Sequence, residues 1–422
     1  MASAQASTAT PEVMTTADGT PLKVSLRRAM RRNKIAAVLL VAPLFLFILF
    51  SFVIPILEML FRSVENPEIV QYMPRTASAL EGWDGQSVPP EEAFAALARD
   101  LQEGAEARNI GKVATRLNYE DPGMRSLIMK SARRAGRIEP PYKEALIDID
   151  DDWAEPATWR LIQREADPYT LSYYMAAVDM RYDSEGNIVA QPEYQQIYVK
   201  LFWRTLWMSV LITGLTILLG YPIAYLMANL PLRTSNLLMI MVLLPFWTSL
   251  LVRTTSWIVM LQTEGVLNEL AIAIGLIDDE NRIQMIYNKT GTIVAMTHIL
   301  LPFMVLPLYS VMKTIPPSYL RAARSLGANP VVAFWRVYVP NTVSGLGAGS
   351  ILVFILAIGY YITPALVGGQ TGQLISNFIA YHMQQSLNWG LAAALGSILL
   401  IAVLVLYWTY NRIVGIDNMK LG

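Results

Sequence analysis

Cysteine is absent from this chain of 422 residues, and histidine occurs only twice. The first absence excludes disulfides, thiolate metal sites and cysteine nucleophiles together. The second argues against a histidine-ligated metal centre, which would draw on several imidazoles. Charge is also scarce. Asp, Glu, Lys and Arg make up 16% of the residues, against roughly 25% in soluble domains. The hydrophobic share is 54%, and mean hydropathy is +0.38. That balance excludes a disordered chain, which would be charge-rich and poor in apolar residues. No G-x-x-x-x-G-K-[ST] phosphate loop and no G-x-S-x-G elbow occurs, so two common catalytic architectures have no footing. The apolar segments also lack the paired acids that proton-coupled pumps keep inside the membrane. Any energy source is expected on another chain.

What is present is a series of long apolar runs. About 20 apolar residues cross the hydrocarbon core. Six stretches reach that length, at 35–61, 201–230, 237–261, 291–312, 343–367 and 391–413. Pro245 breaks the third, and Pro302 and Pro307 lie inside the fourth. Neighbouring helices can satisfy the carbonyls such prolines release. The first run exceeds the roughly 7–15 apolar residues of a signal peptide. Glu58 and Arg62 follow it in place of a small-residue cleavage site, so it reads as a retained helix. The expected fold class is an all-α membrane protein, a six-helix transmembrane bundle with a mixed extracytoplasmic insert.

Orientation follows Lys and Arg in the flanks. Lys23, Arg27, Arg28, Arg31, Arg32 and Lys34 precede the first run. Arg233 follows the second, Lys313, Arg321, Arg324 and Arg336 follow the fourth, and Arg412 and Lys420 close the chain. The 262–290 loop is mostly acidic, and 368–389 has no Lys or Arg. Both termini are therefore expected in the cytoplasm. The domains expected are a cytoplasmic tail at 1–34, the first membrane helix at 35–61, an extracytoplasmic insert at 64–196, and a core of five helices at 201–413. Residues 1–22, rich in Ala, Ser and Thr, read as a polar tail without a fold.

The net charge of +0 hides an asymmetry, because the 64–196 block holds about 24 of the 33 acids and about 14 of the 33 Lys and Arg. Phe94, Leu97 and Leu101 recur at helical spacing within 90–108, and 124–135 is a second expected helix. Asp183 to Asn187 reads as a turn between short extended runs. Trp83, Trp153 and Trp159 supply aromatic area for a small core. Asp148, Asp150, Asp151 and Asp152 could in principle bind a hard cation. The EF-hand Gly and Glu are absent, so a solvated acidic turn is the preferred reading. His298 lies in an apolar helix and reads as a hydrogen-bonded packing residue.

The most informative segment is the cytoplasmic loop 314–340. Pro316-Pro317-Ser318-Tyr319-Leu320-Arg321-Ala322-Ala323-Arg324-Ser325-Leu326-Gly327 predicts a short helix, capped by Ser318 and closed by Gly327. Pro330 stands where a second helix could begin. The result is a helix–turn–helix whose small Ala322 and Ala323 let a partner approach.

Here the chain resembles the inner-membrane permeases of binding-protein-dependent ABC importers, a type I permease family. Those carry E-A-A-x3-G-x9-I-x-L-P in this loop. This chain has Ala322-Ala323, three residues, Gly327, nine residues, then Val337-Tyr338-Val339-Pro340. Arg321 replaces the usual Glu, which leaves unassigned any charge contact that the Glu makes elsewhere. Over about residues 200–412 the resemblance narrows to the spermidine/putrescine-type permeases and their opine-type relatives. It rests on Pro245-Phe246-Trp247-Thr248-Ser249-Leu250-Leu251-Val252-Arg253, on Trp257, on Gly359 to Gly369, and on Asn388-Trp389-Gly390. The insert is not part of that family's common core.

The resemblance implies a non-catalytic subunit in the bacterial inner membrane that binds no cofactor itself. ATP and Mg would sit on a cytoplasmic ATPase dimer. The other implied partners are a second, different permease subunit and an extracytoplasmic solute-binding protein; nucleic acid is not one of them. Tyr319, Arg321, Ala322, Ala323, Leu326 and Gly327 would form the helix that couples to the ATPase. It would pass rigid-body motion to the flanking helices at Lys313 and Val343. The solute would be a polyamine, an opine or a similar small amino compound. Candidate path residues are Arg253, Thr254, Thr255 and Trp257, with Tyr360, Tyr361 and Thr363. Arg253 could instead snorkel to the outer interface, and the tyrosines could belong to an interfacial belt. Two other classes stay open at this stage: a secondary transporter, and a membrane-anchored receptor acting through its insert.

Overall fold

The computed structural model describes residues 22–414. Most of the expected N-terminal tail and Lys420 lie outside the described residues. The chain divides into two units, 1–61 and 62–422.

The first unit is helical from Leu22 to Phe61, with a π-helical turn at Leu49–Val53. Its span, Asn33–Phe61, has no buried residue within the chain. Phe45, Phe47 and Phe50 are about as exposed as Leu39 and Leu44 on other faces. A helix apolar all round needs an apolar surrounding, which a bilayer provides.

In the second unit the 62–196 segment is built from short helices. The longest are Glu91–Glu106, Ile110–Glu120, Met124–Arg134 and Pro156–Glu165. Their amphipathic faces meet at Phe94, Leu97, Leu101, Leu117 and Ile128, all buried with Trp153 and Trp159. The two indoles lie 5.4 Å apart, and the Phe94 ring is 4.6 Å from Trp159. Each indole N–H is satisfied, Trp153 donating to Ser131 Oγ and Trp159 to the Trp153 carbonyl, as buried polar groups require. The mixed architecture expected here reduces to one antiparallel hairpin, Met180–Tyr182 with Ile188–Ala190. Its turn is organised by Asp183, whose carboxylate accepts the Glu185 and Asn187 N–H groups.

Among the described residues five helices are long and apolar enough to cross a membrane, and a bent pair brings the number to six if it counts as one span. Tyr198–Asn229, Lys289–Thr314 and Val339–Gly359 share a core of Met208, Ile212, Leu300, Met304, Leu308 and Val353. The last helix is Trp389–Val414.

Two expected spans are corrected. The third is two segments, Leu232–Trp247 and Leu250–Ala273, bent by 99°. Pro245 sits in a tight turn at Leu244–Trp247, and Ser249 then caps a new helix through the Val252 N–H. The fifth runs from Pro330 to Gly359 and stops. Tyr360 and Tyr361 leave helical geometry before the short helix Ile362–Val367. Their released carbonyls accept hydrogen bonds from Ser376 Oγ at 2.6 Å and Asn377 Nδ2 at 2.7 Å. Side chains of the Ile375–Gln384 helix thus satisfy the break, as a break at membrane depth demands.

Candidate functional site

The loop between the fourth and fifth runs forms the helix Pro317–Ser325. Its N-cap is Pro316, not Ser318, and no side chain caps it. Pro317 takes the first helical position, where its missing N–H is no loss, and Ser318 falls inside the helix. The C-terminal end closes as expected. Gly327 adopts φ +90°, a left-handed conformation that glycine takes without a Cβ penalty. Its N–H donates to the Arg324 carbonyl, and the Ala328 N–H donates to that of Ala323, both at 3.0 Å. Asn329 then caps the next turn through the Val332 N–H at 2.8 Å. Pro330–Ala333 leads through a π turn, Phe334–Tyr338, directly into the membrane helix.

This connection gives the loop its mechanical character. The π turn that follows is anchored at Phe334, whose ring packs edge-on against Tyr225, 5.5 Å away, and is stacked with Tyr338. The loop's outer surface is unpartnered: Leu326 is 90% exposed, and Tyr319, Val331 and Trp335 are exposed too. Arg321 and Ala322 are exposed and Ala323 is half-buried. An exposed apolar surface on a rigidly capped turn suits a protein partner.

The second cluster lies where the bent third segment meets the fourth and fifth. Thr254 and Thr363, both fully buried, bring their hydroxyls to 3.3 Å. The Trp257 indole N–H donates to His298 Nδ1 at 3.2 Å, with the rings edge to face. Arg253, one turn before Trp257, is half-buried, and its Nε has no hydrogen-bond partner. Thr255 is exposed and its hydroxyl returns to the Leu251 carbonyl. Tyr360 is half-buried and Tyr361 exposed, on the break itself. The expected residues of both helices therefore meet through Thr254 and Thr363. His298, read from the sequence as a packing residue, is hydrogen-bonded as expected, but inside this cluster.

A third assembly had no sequence signal. Arg116, 2% exposed, is held by Asn66 Oδ1 and Glu120 Oε1, each at 2.7 Å, and by the fully buried Glu165. Its guanidinium also covers the Tyr173 ring at 4.7 Å. Burial lowers the affinity of this group for its proton, but the neighbouring Tyr173, Glu165 and Glu120 outweigh that and raise it. Burial pushes the Glu120 carboxyl up, against the pull of Arg116. On its other side Tyr173 presses on Gly390, where an added Cβ would come within 2.4 Å of the ring. A cleft of about 810 Å³ opens beside this junction, lined by Glu68, Lys112, Arg116, Tyr119 and Trp389 among others. The acidic cluster is structural at one position. Asp150 accepts from Lys130 Nζ at 2.8 Å and from the Asp152 N–H, and the lysine holds its carboxyl below the usual range. Among the described residues no group of acids and histidines is arranged to hold a metal ion.

Long apolar helices packed around a polar cluster define a membrane-embedded helical bundle. The sequence model described as "Binding-protein-dependent transport system inner membrane component" matches residues 220–414. The spermidine/putrescine transport system permease protein PotB of Haemophilus influenzae is 35% identical over 225 residues, 53% of this chain and 78% of that protein. PotB of Escherichia coli K12 is 35% identical over 222 residues, 52% of this chain and 80% of the relative. Among solved structures, a bacterial ABC transporter involved in alginate import superposes with a TM-score of 0.44 at 20% identity, over 55% of this chain and 82% of the other. The chain belongs to the family of binding-protein-dependent inner-membrane permeases, and residues before 220 lie outside the match to the family's sequence model.

Proposed function

We propose that this chain is one of two permease subunits of an ATP-driven importer in a bacterial inner membrane. A binding protein delivers a small amino compound from outside, and the solute passes between this chain and a second, different permease. Two ATPase subunits, carrying ATP and Mg, act from the cytoplasm on the Pro317–Gly327 turn. Both termini and this turn lie inside, and the 64–196 insert lies outside, in keeping with the Lys and Arg distribution. The names of the relatives support the solute class.

The observation that carries the reading is the Leu326–Gly327 corner, exposed yet fixed by the capping hydrogen bonds on both sides of it. When the ATPases close on ATP, differential contacts at this corner bias the pathway toward the outward-open state. The test is Gly327→Trp and Leu326→Asp in the assembled complex. Leu326 is 90% exposed, so Leu326→Asp should leave the permease folded while transport falls and ATPase association or stimulation is lost. A side chain at 327 meets no neighbour but is strained by the φ of +90°, so Gly327→Ala is measured beside Gly327→Trp to separate strain from bulk. Normal transport by Gly327→Trp refutes the coupling role.

A further inference from the structure

No Asp or Glu occurs from residue 281 to 416, so the stretch carrying the Pro317–Gly327 turn has no negative side chain of its own. Among the described residues from 198 onward, the ion pairs are those of Arg282 with Glu269 and Asp279. The turn carries Arg321 and Arg324, both exposed, and neither makes an ion pair or a side-chain hydrogen bond among the described residues. Leu320 packs inward on the bundle core. Arg321 stands on the outer face, where Ser318 and Ser325 are its neighbours at helical spacing and Ala322 adjoins it; all three are exposed. Residues three and four apart share a helix face, so the one long charged side chain on this face rises from a floor of small ones. A surface closing on the turn reaches Arg321 first.

We infer that the ATPase groove receiving this turn is acidic, and that Arg321 pairs there with a carboxylate. This assignment rests on the importer reading above and names the chemistry of its ATPase partner. The bias of Lys and Arg toward the cytoplasm explains the sign of charge on that side, not its position on the helix. The negative C-terminal end of the helix favours Arg324, which lies in the last turn, but that effect falls off within one turn. Arg321 sits mid-helix, and nothing in its own chain accounts for it. A guanidinium presents a planar fork that holds a carboxylate through two parallel hydrogen bonds. Pressed against a neutral or basic groove, it would lose its water without return. The motif of the family carries Glu at this position, so this chain offers the opposite charge at the centre of the contact. Arg321 therefore also selects among ATPases, favouring one whose groove is acidic and rejecting one built for Glu.

The test places the two permeases in nanodiscs and titrates back the ATPase of the same transporter at rising NaCl. Wild type is compared with Arg321→Lys, Arg321→Gln and Arg321→Glu, in discs of phosphatidylcholine alone and in discs that also hold phosphatidylglycerol. Arg321→Glu should weaken ATPase binding at least about tenfold at low ionic strength, because like charges would then face each other across the contact. Its salt dependence should flatten or reverse, since salt screens repulsion as well as attraction. Arg321→Lys should keep most of the affinity. Reversing one carboxylate of the ATPase groove to Arg should restore binding to Arg321→Glu and weaken binding to the wild type. Wild-type affinity and salt slope in Arg321→Glu overturn the pairing. A loss confined to discs with phosphatidylglycerol overturns it too, because the arginine then meets lipid headgroups. If Arg321→Glu lowers the thermal midpoint of the permeases, Arg321→Gln decides: a several-fold loss at the wild-type midpoint supports the pairing, and unchanged affinity overturns it. Loss of binding in Leu326→Asp but not in Arg321→Glu leaves the importer reading standing without the acidic groove. If the wild-type permeases bind no ATPase in either lipid, the importer reading itself falls.

Discussion

The Tyr174 hydroxyl lies 2.8 Å from the Ser397 hydroxyl, tying the insert to the last membrane helix across 223 residues of sequence. The same Tyr174 oxygen is 2.9 Å from Ser63 Oγ, where the insert begins. One phenol therefore joins the insert's first residues, its Ser172–Ala177 helix and the first half of the Trp389–Val414 helix. Each such hydrogen bond contributes about 1 kcal/mol net. Tyr174→Phe should lower the thermal midpoint of the purified protein by several degrees, and Ser397→Ala by less. In the double variant the losses should fall short of additive, since both remove the same contact. Strict additivity would show that the two hydroxyls act independently.

Arg116 is the costliest charge in the insert to disturb. Asn66, Glu120, Glu165 and Tyr173 come from separate elements, and all of them close on its guanidinium. Removing one member of a buried ion pair leaves the other uncompensated, at about 3–5 kcal/mol. Arg116→Met should therefore expose the insert to limited proteolysis at temperatures where the wild type resists. Replacing Arg116 and Glu165 together by apolar residues should recover part of the loss. Equal protease resistance of Arg116→Met and wild type would contradict this account.

The parts of this molecule legible in the sequence are those with local periodicity or a spaced motif. The apolar runs, the amphipathic insert helices and the Ala322-Ala323…Gly327 loop could each be read within a few turns of chain. The 99° bend was half visible, because Pro245 announced a break, but the direction taken after Ser249 depends on packing against other helices. Trp257 meets His298 across 41 residues and Arg116 meets Glu165 across 49. Pairs like these leave no periodic trace. Ser318 illustrates the opposite error: a good capping residue was in reach, but Pro317 was already in the first helical position and took the helix start. Arg253 was visible as an intramembrane cation, while its lack of a partner became apparent only with its neighbours placed.

His382 offers a pH test. It lies on Ile375–Gln384, outside the five long spans. Its Nε2 is 2.8 Å from the Tyr198 hydroxyl and its Nδ1 is 2.8 Å from Ser386 Oγ. Burial lowers its pKa to about 4, so it is neutral in the folded protein at pH 7. The unfolded chain takes up this proton near pH 6.5, the folded chain only near pH 4, so the unfolded state binds more protons between these values. Stability should thus fall as the pH drops from about 6.5 toward 4, by up to about 3 kcal/mol from this residue. His382→Gln keeps hydrogen-bonding capacity and removes the titration. Thermal midpoints of the variant should lose that part of the pH slope, and an unchanged slope would assign it to other groups.

The insert's role can be separated into docking and scaffolding. Its excess of acids could steer a basic surface of the binding protein or a cationic group of the solute, an effect that salt screens. The structure shows which acids are suited to the test. Asp150 must be spared, because it pairs with Lys130 and caps the Asp151–Ala154 turn. Asp148, Asp151 and Asp152 are exposed on the same acidic run, so replacing them by Asn leaves the Trp153 and Trp159 core untouched. In reconstituted complex, Asp148→Asn with Asp151→Asn and Asp152→Asn should weaken binding-protein affinity several-fold at low ionic strength. At physiological salt the difference should shrink, because the screening length there is about 8 Å. A flatter salt dependence in the triple variant is the signature of steering. If affinity and its salt slope match the wild type while the complex stays intact, these acids do not steer, and the insert acts as a scaffold through its Tyr173 and Tyr174 contacts with the last helix.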